Sequence, residues 1–366
     1  MWPFKRKESA HAQEPTLKSN VTAFWAWFTA NAERFYDTIE NKNCSDLTDE
    51  VSAAFDRWLP DMAWVFGPGE RRVGHSLTIS GEGVQIKQLV AKYCIDRAPV
   101  LANWTFYASR QPADKGAEFT IGMDGDSFKA SELWVATYVD DQEEVIDIQA
   151  WHPLFEKLGE QPSMTVLFLH LDEILGEFGT GQWIGEIKLG NSRLKDAMPI
   201  WELKDYVERL KVEKGWRKND PTECFSSWKT QPQKGFPRSD IFAGTARCFR
   251  LVGDYAHAQG PIEDPLRGLG VDLAYIRIDR LWFPAGKEID ARCDLEDEVA
   301  ARLAADQGGL TLGGATGNDW MYIDLMLFDG EPSLELVKQV LRKHKLPKDT
   351  EVRWFTADKQ NQVVRM

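Results

Sequence analysis

The residues in this chain that are best suited to chemistry lie in one short stretch, which contains His170, Asp172, Glu173 and Glu177. If the stretch is a strand, His170 and Asp172 point to the same face, because side chains alternate along a strand. An imidazole and a carboxylate on one face can share a proton or bind a metal ion. The spacing therefore makes His170, Asp172 and Glu177 candidates for a catalytic or metal site.

The sequence around these residues favours a structural role. It contains no HExxH motif and no second group of histidines to complete a coordination shell. The acidic side chains equally suit the polar end of a buried strand or the first turn of a helix. His152, which precedes Pro153, is a further candidate as a general base, although a histidine in that position also suits a turn. We predict no metal and no cofactor.

Other motifs that could indicate an enzyme are incomplete. No serine lies in a G-x-S-x-G motif, and the glycine-rich run 308–317 lacks the GK[ST] ending of a phosphate-binding loop. Asp124-Gly125-Asp126 resembles the start of a calcium loop, but Phe128 and Lys129 stand where an oxygen ligand and a glycine are needed. Both segments are better explained as hairpin turns. The sequence thus leans against an enzyme without excluding one.

The stretch that carries the acidic residues is also the predicted centre of the first domain. Its apolar run, Val166–Leu171, is short and bounded by polar residues, which is typical of a strand buried on both faces. Residues 183–189 alternate between apolar and polar and predict a second, less buried strand.

Aromatic residues near the N-terminus suggest an interaction surface. Apolar positions recur at spacings of three and four from Val21 to Ile39, which predicts an amphipathic helix. Phe24, Trp25, Trp27 and Phe28 lie on it. Such a stripe usually belongs to the core, but if it is exposed it is a candidate partner-binding surface, because Trp and Phe are enriched at interfaces.

The chain of 366 residues predicts two domains of the α+β class. We predict a flexible arm over residues 1–18 and an N-terminal domain over 19–214, in which helices pack on a mostly antiparallel sheet. The polar segment 215–238 is the predicted linker. Residues 239–366 show the order β-α-β-β-α-β, which predicts a ferredoxin-like sandwich.

Charge and composition narrow the classes of partner. The net charge of −13 argues against binding to nucleic acid or to anionic membranes, and no apolar run is long enough to span a membrane. Five widely spaced cysteines and the absence of a secretory signal favour a cytoplasmic protein. The acidic charge is explained by solubility or by a basic protein partner.

Several segments between residues 20 and 190 resemble an uncharacterised family of bacterial proteins. Phe24–Phe28 followed by Asn31 is similar to its FWxWFxxN opening, and Ile79–Gly83 to its ISADG segment. Ala98-Pro99 with Trp104 is similar to its AP…W continuation, and Leu171–Glu177 to its LDEALGE segment. The resemblance implies a bacterial cytoplasmic α+β domain and implies no activity, cofactor or catalytic residue.

We therefore expect a non-catalytic protein that acts through protein–protein contacts, as a regulator, an adaptor or an immunity-type inhibitor. A basic partner would complement the acidic charge and would associate faster. The alternative is an enzyme or small-ligand-binding protein with a site between the two predicted domains, where pockets commonly form.

Overall fold

The computed structural model describes residues 15–113 and 119–366, and its mixed helices and sheets are of the predicted α+β class. Contacts divide the chain into two compact units. Unit 1 joins the described residues up to Asp61 to Phe225–Met366, and unit 2 is Met62–Cys224. None of the helices within the described ranges is both long enough and apolar enough to cross a membrane.

This division differs from the predicted domain over residues 19–214. The first two helices, α1 (Leu17–Glu40) and α2 (Thr48–Trp58), belong to unit 1 with the C-terminal part of the chain. The sequence supports an amphipathic helix here, but helical periodicity does not show which part of the chain covers the apolar face.

Hydrogen bonds at the start of α1 explain why it belongs to unit 1. The backbone N–H groups of Leu17 and Lys18 donate to the carbonyl oxygens of Gly270 and Phe328, at 2.9 Å in both cases. Thr16 caps the helix by accepting from the Ser19 N–H. The predicted arm over residues 1–18 therefore extends too far, since the helix begins at Leu17; residues 1–14 lie outside the described residues.

Unit 2 contains two main sheets and a hairpin. Its elements in chain order are β1 (Ala63–Pro68), β2 (His75–Ser80), α3 (Gln85–Ile95), β3 (Trp104–Tyr107), β4 (Thr120–Met123), β5 (Asp126–Lys129), β6 (Trp134–Asp140), β7 (Val145–Trp151), α4 (Phe155–Leu158), α5 (Glu160–Leu175), α6 (Glu177–Trp183), β8 (Ile184–Leu189), β9 (Met198–Pro199) and α7 (Leu203–Lys214). The sheets have the orders β1-β2-β3 and β8-β7-β6-β9, and β4 pairs with β5. The turn between β4 and β5 lies at Asp124-Gly125, where a hairpin turn is predicted.

The predicted buried strand Val166–Leu171 is wrong, because these residues form the middle of α5. The buried positions of α5 recur at spacings of three and four, which places them on one helical face: Ser163, Val166, Leu167, His170, Leu171 and Ile174. In a helix His170 and Asp172 are about 200° apart, so they do not share a face. The strand predicted over 183–189 is confirmed as β8, Ile184–Leu189.

The C-terminal part of unit 1 is built on a seven-stranded sheet. Its elements are β10 (Ser226–Lys229), β11 (Ile241–Ala246), α8 (Phe249–His257), β12 (Asp272–Asp279), α9 (Glu288–Ala305), β13 (Gly309–Gly317), β14 (Trp320–Leu327), α10 (Gly330–Leu341), β15 (Glu351–Trp354) and β16 (Val363–Arg365). The strand order is β10-β11-β13-β14-β12-β15-β16, and every neighbouring pair is antiparallel.

The two faces of this sheet differ in chemistry. One face packs its apolar side chains, including Ile276, Ile323 and Val352, against α9 and α10. Because side chains alternate along a strand, the opposite face carries the residues between them. We call this opposite side the outer face; it holds Tyr275 and Arg277 of β12, Tyr322 and Asp324 of β14, and Glu351 and Arg353 of β15.

A buried ion pair fixes the segment before β11 to the outer face. Both terminal nitrogens of Arg238 donate to the carboxylate of Asp324, and both side chains are almost completely buried. The guanidinium also lies 4.7–4.8 Å from the ring centroids of Tyr275, Tyr322 and Phe355. Residues 215–238, predicted as a linker, thus contribute β10 to the sheet and Arg238 to the interior.

We expect the single variants Arg238→Met and Asp324→Leu each to lose about 3–5 kcal/mol of unfolding free energy, because each leaves one buried charge without its partner. The double variant removes both charges and is expected to be more stable than either single variant. Urea unfolding of the four proteins measures this. Additive losses in the double variant would contradict the coupling.

Candidate functional site

Glu177 is the most completely bonded of the predicted candidates. Its buried carboxylate accepts hydrogen bonds from four groups of its own unit. The donors are Ser80 Oγ at 2.7 Å, Gly83 N at 2.9 Å, Gln88 Nε2 at 2.9 Å and Arg110 N at 3.2 Å. A buried carboxylate needs such donors to replace its lost hydration. Glu177 therefore ties the end of β2, the start of α3 and the chain after β3 to the start of α6.

Two of the segments on which the predicted family resemblance rests meet at Glu177. Ser80 and Gly83 belong to the ISADG-like segment, and Glu177 ends the LDEALGE-like segment. Gly176, just before Glu177, has a φ of +77°, and an added Cβ would lie 3.1 Å from the carbonyl oxygen of Arg110. Glycine is favoured at this position because an L side chain would be strained at this φ and its Cβ would make tight contacts. The ISADG-like and LDEALGE-like segments thus have a structural role in this chain.

Other charged side chains lie around Glu177. Arg110 donates to Glu82 at 2.9 Å, and Asp172 and Glu173 lie at the end of α5. Burial raises the pKa of Asp172 to about 6; a hydrogen bond from Thr180 opposes the shift, and the negative charge of Glu177 adds to it. Burial also raises the pKa of Glu173, against the opposing charge of Arg110. Asp172 can therefore gain or lose a proton near neutral pH, which is what a general acid or base requires.

The two candidate histidines are core residues. His170 is buried, and its Nδ1 donates to the carbonyl oxygen of Val166 at 2.8 Å. His152 is also buried and accepts the Leu154 N–H at Nδ1, at 3.2 Å, while its Nε2 lies 3.7 Å from Glu132. Burial lowers the pKa of His152; the Glu132 carboxylate opposes this shift, and the charge of His170 adds to it.

The structure thus arranges the four predicted candidates as two pairs. Asp172 and Glu177 lie at the junction of α5 and α6, and His152 and His170 are buried in unit 2, where their rings lie beside those of Phe128 and Phe119. In the described ranges, no group of three or more His, Cys, Asp or Glu side chains is arranged to hold a metal ion.

The predicted aromatic interface lies inside unit 1. Phe24, Trp25 and Phe28 are buried and Trp27 is half-buried. Their rings contact one another and the rings of α2; Phe24 lies 5.1 Å from Phe55. Because three of the four side chains are buried, and Phe24 and Trp27 contact rings of α2, the stripe belongs mainly to the core, which is the alternative that the sequence also offered.

The opposite side of α1 carries a different feature, which the sequence analysis missed. A depression of about 620 Å³ is lined by the C-terminal half of α1 and the turn that follows. Glu33, Asp37 and Asp46 line it, are exposed and have no ion-pair partner in the part of the chain that the structure describes. Arg34, which also lines it, donates to Glu50 at 2.6 Å. We call this depression the acidic hollow. The pattern of exposed positions on the amphipathic helix α1 could have revealed this hollow from the sequence.

Unit 1 also contains a polar cavity of about 580 Å³, likewise not predicted. Side chains of both charges line it, among them Arg57, Arg267, Asp264 and Lys359. Trp354 lines it as well; its indole N–H is buried and has no hydrogen-bond partner among the described residues. Burial raises the pKa of Asp264, although the Leu266 N–H lowers it. A cavity of this size and polarity fits a small charged ligand.

We expect Glu177→Gln to lose about 3 kcal/mol of unfolding free energy. In the native protein these donors bond to a carboxylate. In the variant some of them would face the N–H groups of the glutamine amide instead, so several hydrogen bonds are lost together. Glu173→Gln is the matched control, because its pKa is already raised by burial and a neutral side chain is tolerated there. Urea unfolding measures both; equal effects of the two variants would contradict the assigned role of Glu177.

We expect Asp172→Asn to stabilise the protein at pH 7.5 by about 1 kcal/mol, after allowance for solvent screening of this half-buried group. The folded-state pKa of Asp172, about 6, exceeds its ordinary value of 3.8. The unfolding free energy of the native protein therefore falls as the pH rises through this range. The gain should vanish well below pH 3.8, where Asp172 is neutral in both the folded and the unfolded state. Unfolding at a series of pH values measures this, and a pH-independent difference would contradict it.

Comparisons of the chain with protein-family models, curated proteins and solved structures found no match. The resemblance of residues 20–190 to an uncharacterised bacterial family therefore stays a prediction from the sequence. Function has to be inferred from the geometry of the chain itself.

Proposed function

We propose that this chain is a non-catalytic cytoplasmic protein that binds a protein partner through the acidic hollow, as a regulator, an adaptor or an immunity-type inhibitor. The observation that carries the proposal is the set of unpaired carboxylates, Glu33, Asp37 and Asp46, on the exposed side of α1. Like charges held close together repel, and a basic partner surface would relieve that repulsion.

The bonding of the other candidates supports a non-catalytic role. The carboxylate of Glu177 is occupied by four donors of its own unit, and both histidines are enclosed in the core. Groups used in this way are not presented to a substrate. The acidic net charge of −13 adds long-range attraction for a basic partner.

We also propose a ferredoxin-like fold for the central part of unit 1. The support is the element order β12-α9-β13-β14-α10-β15 together with the strand order β13-β14-β12-β15, all antiparallel. Such a sheet has one face covered by two helices and one face available to other parts of the chain, which here include Arg238.

A small-ligand-binding protein is the second candidate function. The polar cavity of unit 1 favours it, because the unpartnered Trp354 N–H and the charged lining could recognise a polar molecule. Asp172, with a pKa of about 6 beside Glu177, is the observation that most favours an enzyme.

The test of the main proposal is a charge-reversal triple variant, Glu33→Lys with Asp37→Lys and Asp46→Lys. The partner is first isolated from native lysate with the wild-type chain, identified and purified. Binding of the purified partner should weaken by at least about tenfold in the variant, and should also weaken as salt increases. Isothermal titration calorimetry measures both effects.

A matched control reverses three exposed carboxylates elsewhere, Asp196, Glu223 and Glu263, and changes the net charge by the same amount. This control should retain most of the affinity. Equal weakening in both triples would show that overall charge, and not the hollow, governs binding. Failure to recover any stoichiometric partner at low and at moderate salt would overturn the proposed function.

A further inference from the structure

Three arginines on the outer face of the unit 1 sheet converge on one carboxylate. Arg277 of β12 lies opposite Glu351 of β15, which in turn lies opposite Arg365 of β16. Arg277 Nη2 and Arg353 Nε contact Glu351 Oε2 at 3.0 and 2.8 Å, and Arg365 Nε lies 3.5 Å from Oε1. We call Arg277, Arg353 and Arg365 the arginine cluster.

The arginine cluster carries more positive charge than Glu351 can neutralise. Burial alone would raise the pKa of Glu351, but the hydrogen bond from Arg353 and the charges of Arg277 and Arg353 outweigh burial and lower it. Two other acidic residues of the same face have their own donors: Asp279 accepts the Leu281 N–H, and Asp324 is paired with Arg238. Within the cluster itself, three arginines thus pair with one carboxylate, which leaves two positive charges not matched by Glu351.

Most of the hydrogen-bond donors in this cluster remain available. Each guanidinium has five N–H groups, and the hydrogen bonds that Arg353 and Arg365 donate to Glu351 come from their Nε atoms. The Nε of Arg277 is buried without a hydrogen-bond partner among the described residues, and its guanidinium lies over the Trp320 ring at 4.0 Å. The side chains of Arg277, Arg353 and Arg365 are 22%, 27% and 76% exposed, against 6% for Glu351. A ligand from solvent can thus reach the arginines while Glu351 stays beneath them.

We propose that the arginine cluster is a binding site for a phosphate monoester. Such a group carries a charge of about −1.5 to −2 at neutral pH and three acceptor oxygens, which match an excess of two positive charges and several free N–H donors. A phosphodiester or a single carboxylate carries only one negative charge and compensates the cluster less well. Arginine also forms paired hydrogen bonds with phosphate oxygens. This site is independent of the acidic hollow and of the partner proposed for it.

The test compares methyl phosphate, a monoester, with dimethyl phosphate, a diester, in calorimetric titrations of the full chain at constant ionic strength. Methyl phosphate should bind, and Arg353→Gln and Arg365→Gln should each weaken it by about tenfold, which corresponds to about 1.4 kcal/mol. Arg342→Gln is the control, because Arg342 is an exposed arginine of the same unit that is paired with Glu335. It should leave binding unchanged.

Arg365 is the more informative of the two positions, because its side chain is mostly exposed and its replacement should not disturb folding. Thermal unfolding of every variant without ligand checks this directly. The proposal would be overturned if dimethyl phosphate or acetate bound as tightly as methyl phosphate, or if Arg342→Gln weakened binding as much as Arg365→Gln. Glucose 6-phosphate and O-phosphoserine, used as further probes, distinguish a small-molecule source of the monoester from a phosphorylated side chain; binding of neither would also count against the site.

Discussion

The burial of Glu177 is the constraint on which the architecture around α5 and α6 depends. An isolated carboxylate in a protein interior is very costly, so it is stable there only when donors surround it. Its four donors come from three separate segments, residues 80–83, Gln88 and Arg110. The carboxylate can be buried only when all three segments are in place. Secondary-structure elements far apart in sequence are thereby made to fold together.

Unit 1 also buries a charged group that needs partners, and here the group is positively charged. Arg238 is buried, and Asp324 and three aromatic rings surround its guanidinium. Such an arrangement contributes little net stability compared with an apolar core. It does, however, make one placement of the chain against the sheet more stable than other placements. That specificity explains why a polar segment with the composition of a linker has a defined place against the sheet.

The sequence predicted secondary-structure elements more reliably than it predicted which distant residues contact one another. The apolar periodicity of α1 and the alternation of β8 were visible because each depends on neighbouring residues. The run Val166–Leu171 was mistaken for a strand because a short, almost continuous apolar segment is compatible with the periodicity of a strand and with that of a helix. The arginine cluster could not be predicted, since Arg277, Glu351 and Arg365 meet only through the register of three strands. Glu177 could be singled out from the sequence, whereas the groups that donate to it could not.

The two proposed sites of unit 1 have opposite charge, and this gives them opposite relations to the field of the whole chain. A net charge of −13 attracts a basic partner from a distance, so salt that screens beyond about 8 Å should slow that encounter. The same field repels a phosphate dianion, while the arginines attract it at contact distance. Salt then weakens a repulsion and an attraction together, and affinity for a monoester should change little. A chain whose phosphate binding depended steeply on salt would have a more extended basic surface than the three arginines provide.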